Sequence, residues 1–205
     1  PLWSEFHLSV NVVGGVFVDK ALCGGSFTER DLELCVIFCA QLATILENTR
    51  IKTSWGFIKV DGFMQTAEPG IYAIGDIVPT PQLAHVASAE GILAAEHLAG
   101  KNPKPLNYDR TPGVTYCDPQ VASIGLTEKK ARERGHKVKT AKFPFMGVGK
   151  AAIEDEREGF VKIVADGRYD EVLGIHILHA HAGDLIGEGV AVLNGELTVH
   201  ELAAM

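Results

Sequence analysis

The sequence predicts an α/β chain whose second half is an α+β unit, an antiparallel sheet flanked by helices. Three observations carry that prediction. Beyond residue 110, strand-length apolar runs alternate with polar turns rather than with long helices. Short segments among them place apolar residues at helical spacing and close on glycine. Between the halves, "KNPKPLN" (101–107) holds two prolines, two lysines and two asparagines in seven residues, the composition of a linker.

In chain order, "LSVNVVGGVFV" (8–18) reads as a strand pair around Gly14-Gly15. Residues 31–46 read as a helix, because Leu32, Cys35, Phe38, Cys39, Leu42 and Ile45 recur at helical spacing. "GFIKVDGFMQT" (56–66) is a strand followed by turn-like polar residues. A short apolar strand then ends in Gly75-Asp76, and a helix is expected from about Pro81 to Leu98, with Thr80 as its cap and Gly100 as its stop.

After the linker, strands are expected at 113–117, 121–125, 138–145, 159–165 and 171–178. The last two form a hairpin turning near Asp166-Gly167, with "EDEREG" (154–159) a solvated turn before it. A helix opens at Thr127 and closes at Gly135. Another runs from about Gly183 to Leu193, with Ala182, Leu185, Ile186, Gly189, Val190 and Leu193 on its buried stripe. The last begins "TVHE", where Thr198 and Glu201 match a capping box. Its abrupt stop at Met205 suggests truncation, and an opening proline leaves the natural start undefined.

Composition narrows the function classes. Asp+Glu 26 against Lys+Arg 19 gives a net charge of −7, which argues against a phosphate-backbone binder. With 46% hydrophobic residues the chain can build a core. No apolar run has the length of a membrane span, and no signal peptide is evident. The four cysteines, Cys23, Cys35, Cys39 and Cys117, form no disulfide-type framework and favour a reducing compartment.

The richest stretch is "IYAIGDIVPTPQLAHVASAEG" (71–91). If Thr80 caps the helix, the N–H groups of Gln82, Leu83 and Ala84 point outward as a site for an anion or an electron-rich oxygen. Ala84, Ala87, Ser88, Gly91 and Ala95 share one face, small enough for a backbone or a flat ligand to approach closely. Asp76 follows a strand, where open α/β sheets place ligand-binding residues, and a carboxylate there suits a polyol or ribose hydroxyl. Helix packing and an ordinary turn would account for the same features.

The run "GIYAIGD", the turn, then "QLAHVASAEG" resembles the second flavin-binding motif of the pyridine-nucleotide disulfide oxidoreductases. "TPGVTYCDPQVASIGLTEKKARERG", "EGFVKIVAD", "LGIHIL" and "GDLIGEGVAVLNG" are similar, in order and spacing, to that family's interface domain. The resemblance covers roughly residues 55–205 and is greatest to members that reoxidise dihydrolipoyl groups of 2-oxoacid dehydrogenase complexes with NAD. It implies FAD binding through Gly75 and Asp76, the latter on the ribityl chain, and through Leu83, Ala84 and His85 against the pyrimidine end of the flavin. There a helix N-terminus stabilises developing negative charge by roughly 0.3–2 kcal/mol.

It also implies three regions: 1–50 unassigned and unlike the family, 51–109 a partial NAD/FAD-binding region, and 110–205 an interface domain forming a homodimer. The expected compartment is the cytoplasm, or the mitochondrial matrix in a eukaryote. A glutathione- or mercuric-reductase-like sibling and a non-catalytic dimerisation module remain alternatives.

Several family parts are missing. "NVVGGVF" lacks the spacing and third glycine of a GxGxxG loop, and Cys35 and Cys39 are separated by three residues rather than four. His200 and Glu201 are adjacent, not the family's acid–base pair, which would lie beyond Met205. No catalytic residue is therefore assigned, and the chain alone is expected to be inactive. His176, His179 and His181 form an H-x-x-H-x-H cluster without a second ligand motif, so no metal is assigned.

Overall fold

The computed structural model describes residues 48–204. Two compact units part between Leu106 and Asn107, at the end of the proline-rich segment. The expected strand pair at 8–18 and helix at 31–46 lie outside the described residues.

The second unit is built on a five-stranded antiparallel sheet in the order β3-β4-β7-β6-β5. Its strands are β3 (Gly113–Thr115), β4 (Gln120–Gly125), β5 (Val138–Pro144), β6 (Phe160–Asp166) and β7 (Val172–His179). Each lies within two residues of its expected position. The β6–β7 turn is fixed by Asp166, whose Oδ1 accepts the N–H groups of Arg168 at 2.7 Å and Tyr169 at 3.3 Å. That is the local chemistry that makes Asp a turn former.

Helix α4 (Ala182–Asn194) covers this sheet. Its Ile186, Val192 and Leu193 join Ala122, Ile124, Ile175 and Ile177 in one apolar core. The expected stripe needs one correction. Leu185 is 37% exposed, while Val192 is fully buried. The helix runs one residue past the expected end, to Asn194, and the sheet beneath it takes Val192 rather than Leu185 at the edge of the stripe.

A second, smaller cluster holds Leu126, Ala131, Val164 and Leu173. It exists because β7 carries a bulge. Val164 pairs with Gly174 and Ala165 with Val172, leaving Leu173 as the extra residue. Leu173 thus leaves the Ile175/Ile177 cluster and packs with Leu126, whose N–H reaches back to the Leu173 carbonyl at 2.8 Å. Gly125 pairs with Gly174 beside the bulge, and a Cβ on Gly174 would run into the Leu126 carbonyl.

Helix α2 (Glu128–Glu133) starts at Thr127, whose side chain accepts the Lys130 N–H, and ends before Gly135 at φ 85°. The short α3 (Gly149–Ile153) precedes the exposed run 154–158. In α5 (Val199–Ala204) the reciprocal cap is complete: Glu201 Oε2 accepts the Thr198 N–H at 2.7 Å, and Thr198 Oγ1 accepts the Glu201 N–H at 3.3 Å.

In the first unit the described strands are short. β1 (Thr53–Ser54) and β2 (Phe57–Ile58) form a hairpin through Trp55 and Gly56, both at positive φ. The apolar strand expected before Gly75 is reduced to one bridge, Tyr72 with Gln65. Asp61 Oδ1 accepts the Phe63 and Gln65 N–H groups, shaping the preceding turn. Helix α1 (Ala84–Leu98) packs Leu93 and Ala94 against Met64, with Val60, Phe63, Tyr72 and Leu106 around them. It ends as expected: Gly100 adopts φ 74° and the Lys101 N–H reaches back to Glu96.

Candidate functional site

The segment between the Tyr72 bridge and α1, together with the first turn of α1, carries every sequence-proposed ligand residue. Gly75, Asp76 and Ile77 form a single 3-10 turn. Gly75 sits at φ 72°, and a Cβ on it would lie 3.3 Å from Ala87 Cβ, so glycine is needed for the turn to lie this close to α1. Asp76 is exposed on that turn. Its backbone oxygen is approached by Gln82 Nε2 at 3.4 Å.

The helix start differs from the expected one. Thr80 is not the cap and Pro81 is not the first helical residue. The Thr80 N–H bonds to Val78 and the Leu83 N–H to Pro81, both at 2.9 Å, so the chain makes two tight turns first. Leu83, extended at φ −135°, is the residue before the helix, and no side chain caps it. The amides presented by the first turn are those after Leu83, two residues later than the Gln82–Ala84 set.

Around that start Ala84, His85 and Ser88 are exposed, Leu83 and Ala87 half-buried. A Cβ on Gly91 would lie 3.4 Å from Ile74 Cδ1, so part of the small face is used in packing against the Ile74 side chain. Ile74, Ile77 and Ile92 remain 38%, 47% and 64% exposed, an apolar surface suited to cover by a flat ligand. Thr80 Oγ1 is buried with no hydrogen-bond partner. A carboxylate, an uncapped helix start, an orphaned hydroxyl and exposed isoleucines on one loop-helix unit fit a ligand with a polyol chain and a flat ring.

One residue escaped the sequence reading. Glu90 is fully buried, and its Oε2 accepts the Gly75 N–H at 2.7 Å. The signal was present: Val86, Glu90, Leu93 and His97 follow helical spacing, so an acid interrupts the buried stripe. His97 is the other polar member, with Nδ1 2.8 Å from the Tyr72 hydroxyl and its ring stacked on Phe63.

Two of the three clustered histidines, His176 and His179, have their rings engaged with backbone groups. His176 Nε2 donates to the Leu126 carbonyl at 3.2 Å, and burial pulls its pKa below the usual histidine value. His179 is buried, stacked on Phe145, with Nε2 donating to the Glu156 carbonyl at 2.9 Å and Nδ1 accepting the His181 N–H at 3.2 Å. Both His179 nitrogens are thereby used. Among the described residues no group of three His, Cys, Asp or Glu side chains could hold a metal ion. Cys35 and Cys39 lie outside the described residues, and Cys117 is exposed. Among the described residues no helix is long and apolar enough to cross a membrane.

Residues 111–205 match the pyridine nucleotide-disulphide oxidoreductase dimerisation domain. Residues 23–91 match the pyridine nucleotide-disulphide oxidoreductase domain, starting inside the segment that the sequence reading left unassigned. The chain is 53% identical over 143 residues to a dihydrolipoyl dehydrogenase of Bacillus subtilis, covering 70% of this chain and 30% of that one. It is 47% identical over 162 residues to the Corynebacterium glutamicum protein of the same name, covering 77% and 34%. The chain thus spans about a third of the length of these relatives. Among solved structures, LpdA from Mycobacterium tuberculosis superposes with a TM-score of 0.71 at 27% identity, covering 78% of this chain and 35% of that one. A flavoprotein disulfide reductase, RclA from Escherichia coli, shares the fold at a TM-score of 0.66 and 22% identity, covering 75% and 36%.

Proposed function

This chain belongs to the pyridine nucleotide-disulphide oxidoreductase family, and on that premise we propose that it supplies part of the flavin site and the dimer-forming domain of a dihydrolipoyl dehydrogenase. The division of labour is 51–109 for the cofactor and 110–205 for a homodimer interface. The whole protein would use FAD and NAD to reoxidise dihydrolipoyl groups on 2-oxoacid dehydrogenase complexes. The observation that carries the reading is the loop-helix unit, where Asp76 stands exposed beside the uncapped start of α1.

FAD, when bound, supplies the electron-accepting chemistry. The protein's part is to hold and orient it. The Asp76 carboxylate accepts hydrogen bonds from sugar-alcohol hydroxyls, and a charge-assisted bond of this kind is stronger than a neutral one. Leu83 leads the chain into α1, and Ala84 and His85 bring its first amides, with their share of the helix dipole, to an electron-rich ring edge. Small side chains at Ala84 and Ser88 leave room for a flat ring, and Ile77 and Ile92 exclude water from it. Glu201 is occupied by its cap to Thr198, and no acid–base role is given to it or to the adjacent His200.

The test is FAD titration of the purified 205-residue chain, followed by flavin fluorescence. Asp76→Ala should weaken binding by about 10- to 100-fold, the range for one lost hydrogen bond to a charged group. Unchanged binding would remove Asp76 from the site. The same preparation should elute as a dimer and show no lipoamide-dependent NAD reduction.

A further inference from the structure

We propose that Glu90 is a positioning residue for the cofactor site, acting through Gly75 to set the direction in which Asp76 presents its carboxylate; the inference rests on the assignment of Asp76 to that site. Glu90 lies in the middle of α1 and is the only fully buried carboxylate among the described residues. Placing an acid there is costly unless its oxygens are engaged. Leucine would suit the Val86–Leu93 stripe better if packing were the sole demand.

What the carboxylate touches explains its presence. Its Oε2 takes the N–H of Gly75, the residue immediately before Asp76, at 2.7 Å. The carbonyl of the same glycine accepts the Val78 N–H at 3.0 Å, and Val78 is itself fully buried. Both backbone groups of Gly75 are therefore used, one by the helix and one by the turn. The positive φ and the 3.3 Å approach of an added Cβ to Ala87 bring the turn against the helix. With Gly75 held at both groups, the peptide leading into Asp76 has one orientation. Asp76 itself stays exposed, its side chain left for a ligand.

This clamp requires an acceptor at a particular reach, not a charge as such. Gln offers an oxygen at the same distance along the side chain. Asp keeps the charge but is one methylene shorter, so it cannot reach Gly75 without a shift of the helix. The pair separates positioning from electrostatics and from bulk.

The experiment is FAD titration of the full 205-residue chain carrying Glu90→Gln, Glu90→Asp or Asp76→Ala, with far-ultraviolet circular dichroism and melting of the FAD-free proteins. Glu90→Gln should bind FAD within about threefold of the parent, and Glu90→Asp about tenfold more weakly, as for loss of one charge-assisted bond. Circular dichroism of the bound flavin should change in Glu90→Asp and be restored in Glu90→Gln. If Asp76→Ala weakens binding but Glu90→Asp does not, the positioning role is overturned and the cofactor assignment stands. If Asp76→Ala binds like the parent, or the parent takes up no FAD, the cofactor assignment fails and this inference with it. A Glu90→Asp chain that no longer folds would make Glu90 a residue of the fold alone and overturn the proposal as well.

Discussion

The two units hold their shape by different means. The second is an apolar construction: a continuous ladder of strands whose alternate residues meet α4 in a single cluster. The described part of the first has two-residue strands and a small cluster around Met64, Leu93 and Ala94. With so little apolar burial there, its described turns depend on side chains bonded to backbone or to one another, a device that the second unit uses beside its core. Asp61 serves Phe63 and Gln65, Thr66 serves Glu68, Tyr72 serves His97, and Glu90 serves Gly75. Apolar burial is non-directional and tolerates small shifts, whereas a hydrogen bond fixes a direction. A ligand loop needs direction, and a sheet platform needs mass.

The sharpest way to break this contrast is in the sheet. Ile124→Ala removes a side chain that is 2% exposed at the centre of the α4 core and should cost about 2–5 kcal/mol. Urea unfolding, with hydrogen exchange of peptides from 160–179, would measure it. A cost below 1 kcal/mol would mean that the cluster is not what holds the sheet.

In the first unit, Tyr72→Phe should cost about 1 kcal/mol, because it deletes one hydrogen bond to His97 and almost no apolar area. Faster hydrogen exchange across residues 63–73 would report it. No change there would show that the stack of Phe63 on His97 suffices without the hydroxyl.

The smallest effect is one of pH, in the second unit. Burial lowers the pKa of His176, the backbone contact to Leu126 opposes that, and nearby Lys162 adds to it. The unfolded chain therefore binds the proton more readily than the folded one. Stability is complete above the ordinary histidine value of about 6.5 and is lost as pH falls below it. Melting temperatures between pH 8 and pH 5 should fall less steeply in His176→Gln than in the parent. Equal slopes would show that the proton is taken elsewhere.

Legibility followed the same division. The strands of the second unit could be placed within two residues because their signals are local: alternation, Asp166-Gly167 at the turn, Thr127 at a cap. The bulge at Leu173 was not legible, since it is a matter of register between β6 and β7 and leaves no mark on either strand alone. Leu185 and Val192 were exchanged because a helical stripe is broad, and only the sheet beneath decides its edge. In the site, Gly75-Asp76 was visible as a turn. The start of α1 was misplaced because Thr80-Pro81 has the chemistry of a helix opening, yet the tight turns at 78–83 come first. Glu90 was overlooked because a carboxylate on a helix is ordinarily solvated, and its partner is a backbone N–H fifteen residues away.

The ends of the ladder have a consequence for how copies of this unit can meet. β3 has three residues, too few to template a neighbour, and β5 closes on Pro144, which has no N–H to offer. Along β5, Lys139 is held by Asp170 at 2.9 Å and Lys142 lies 3.6 Å over the Phe160 ring, so cations guard that margin. A guest strand would meet a margin of three residues at β3 and, at β5, one that loses its last donor at Pro144 and carries two lysines. Both margins are thereby disfavoured for fibre-like growth by edge addition, and the faces and helices of this unit are the better surfaces for self-association.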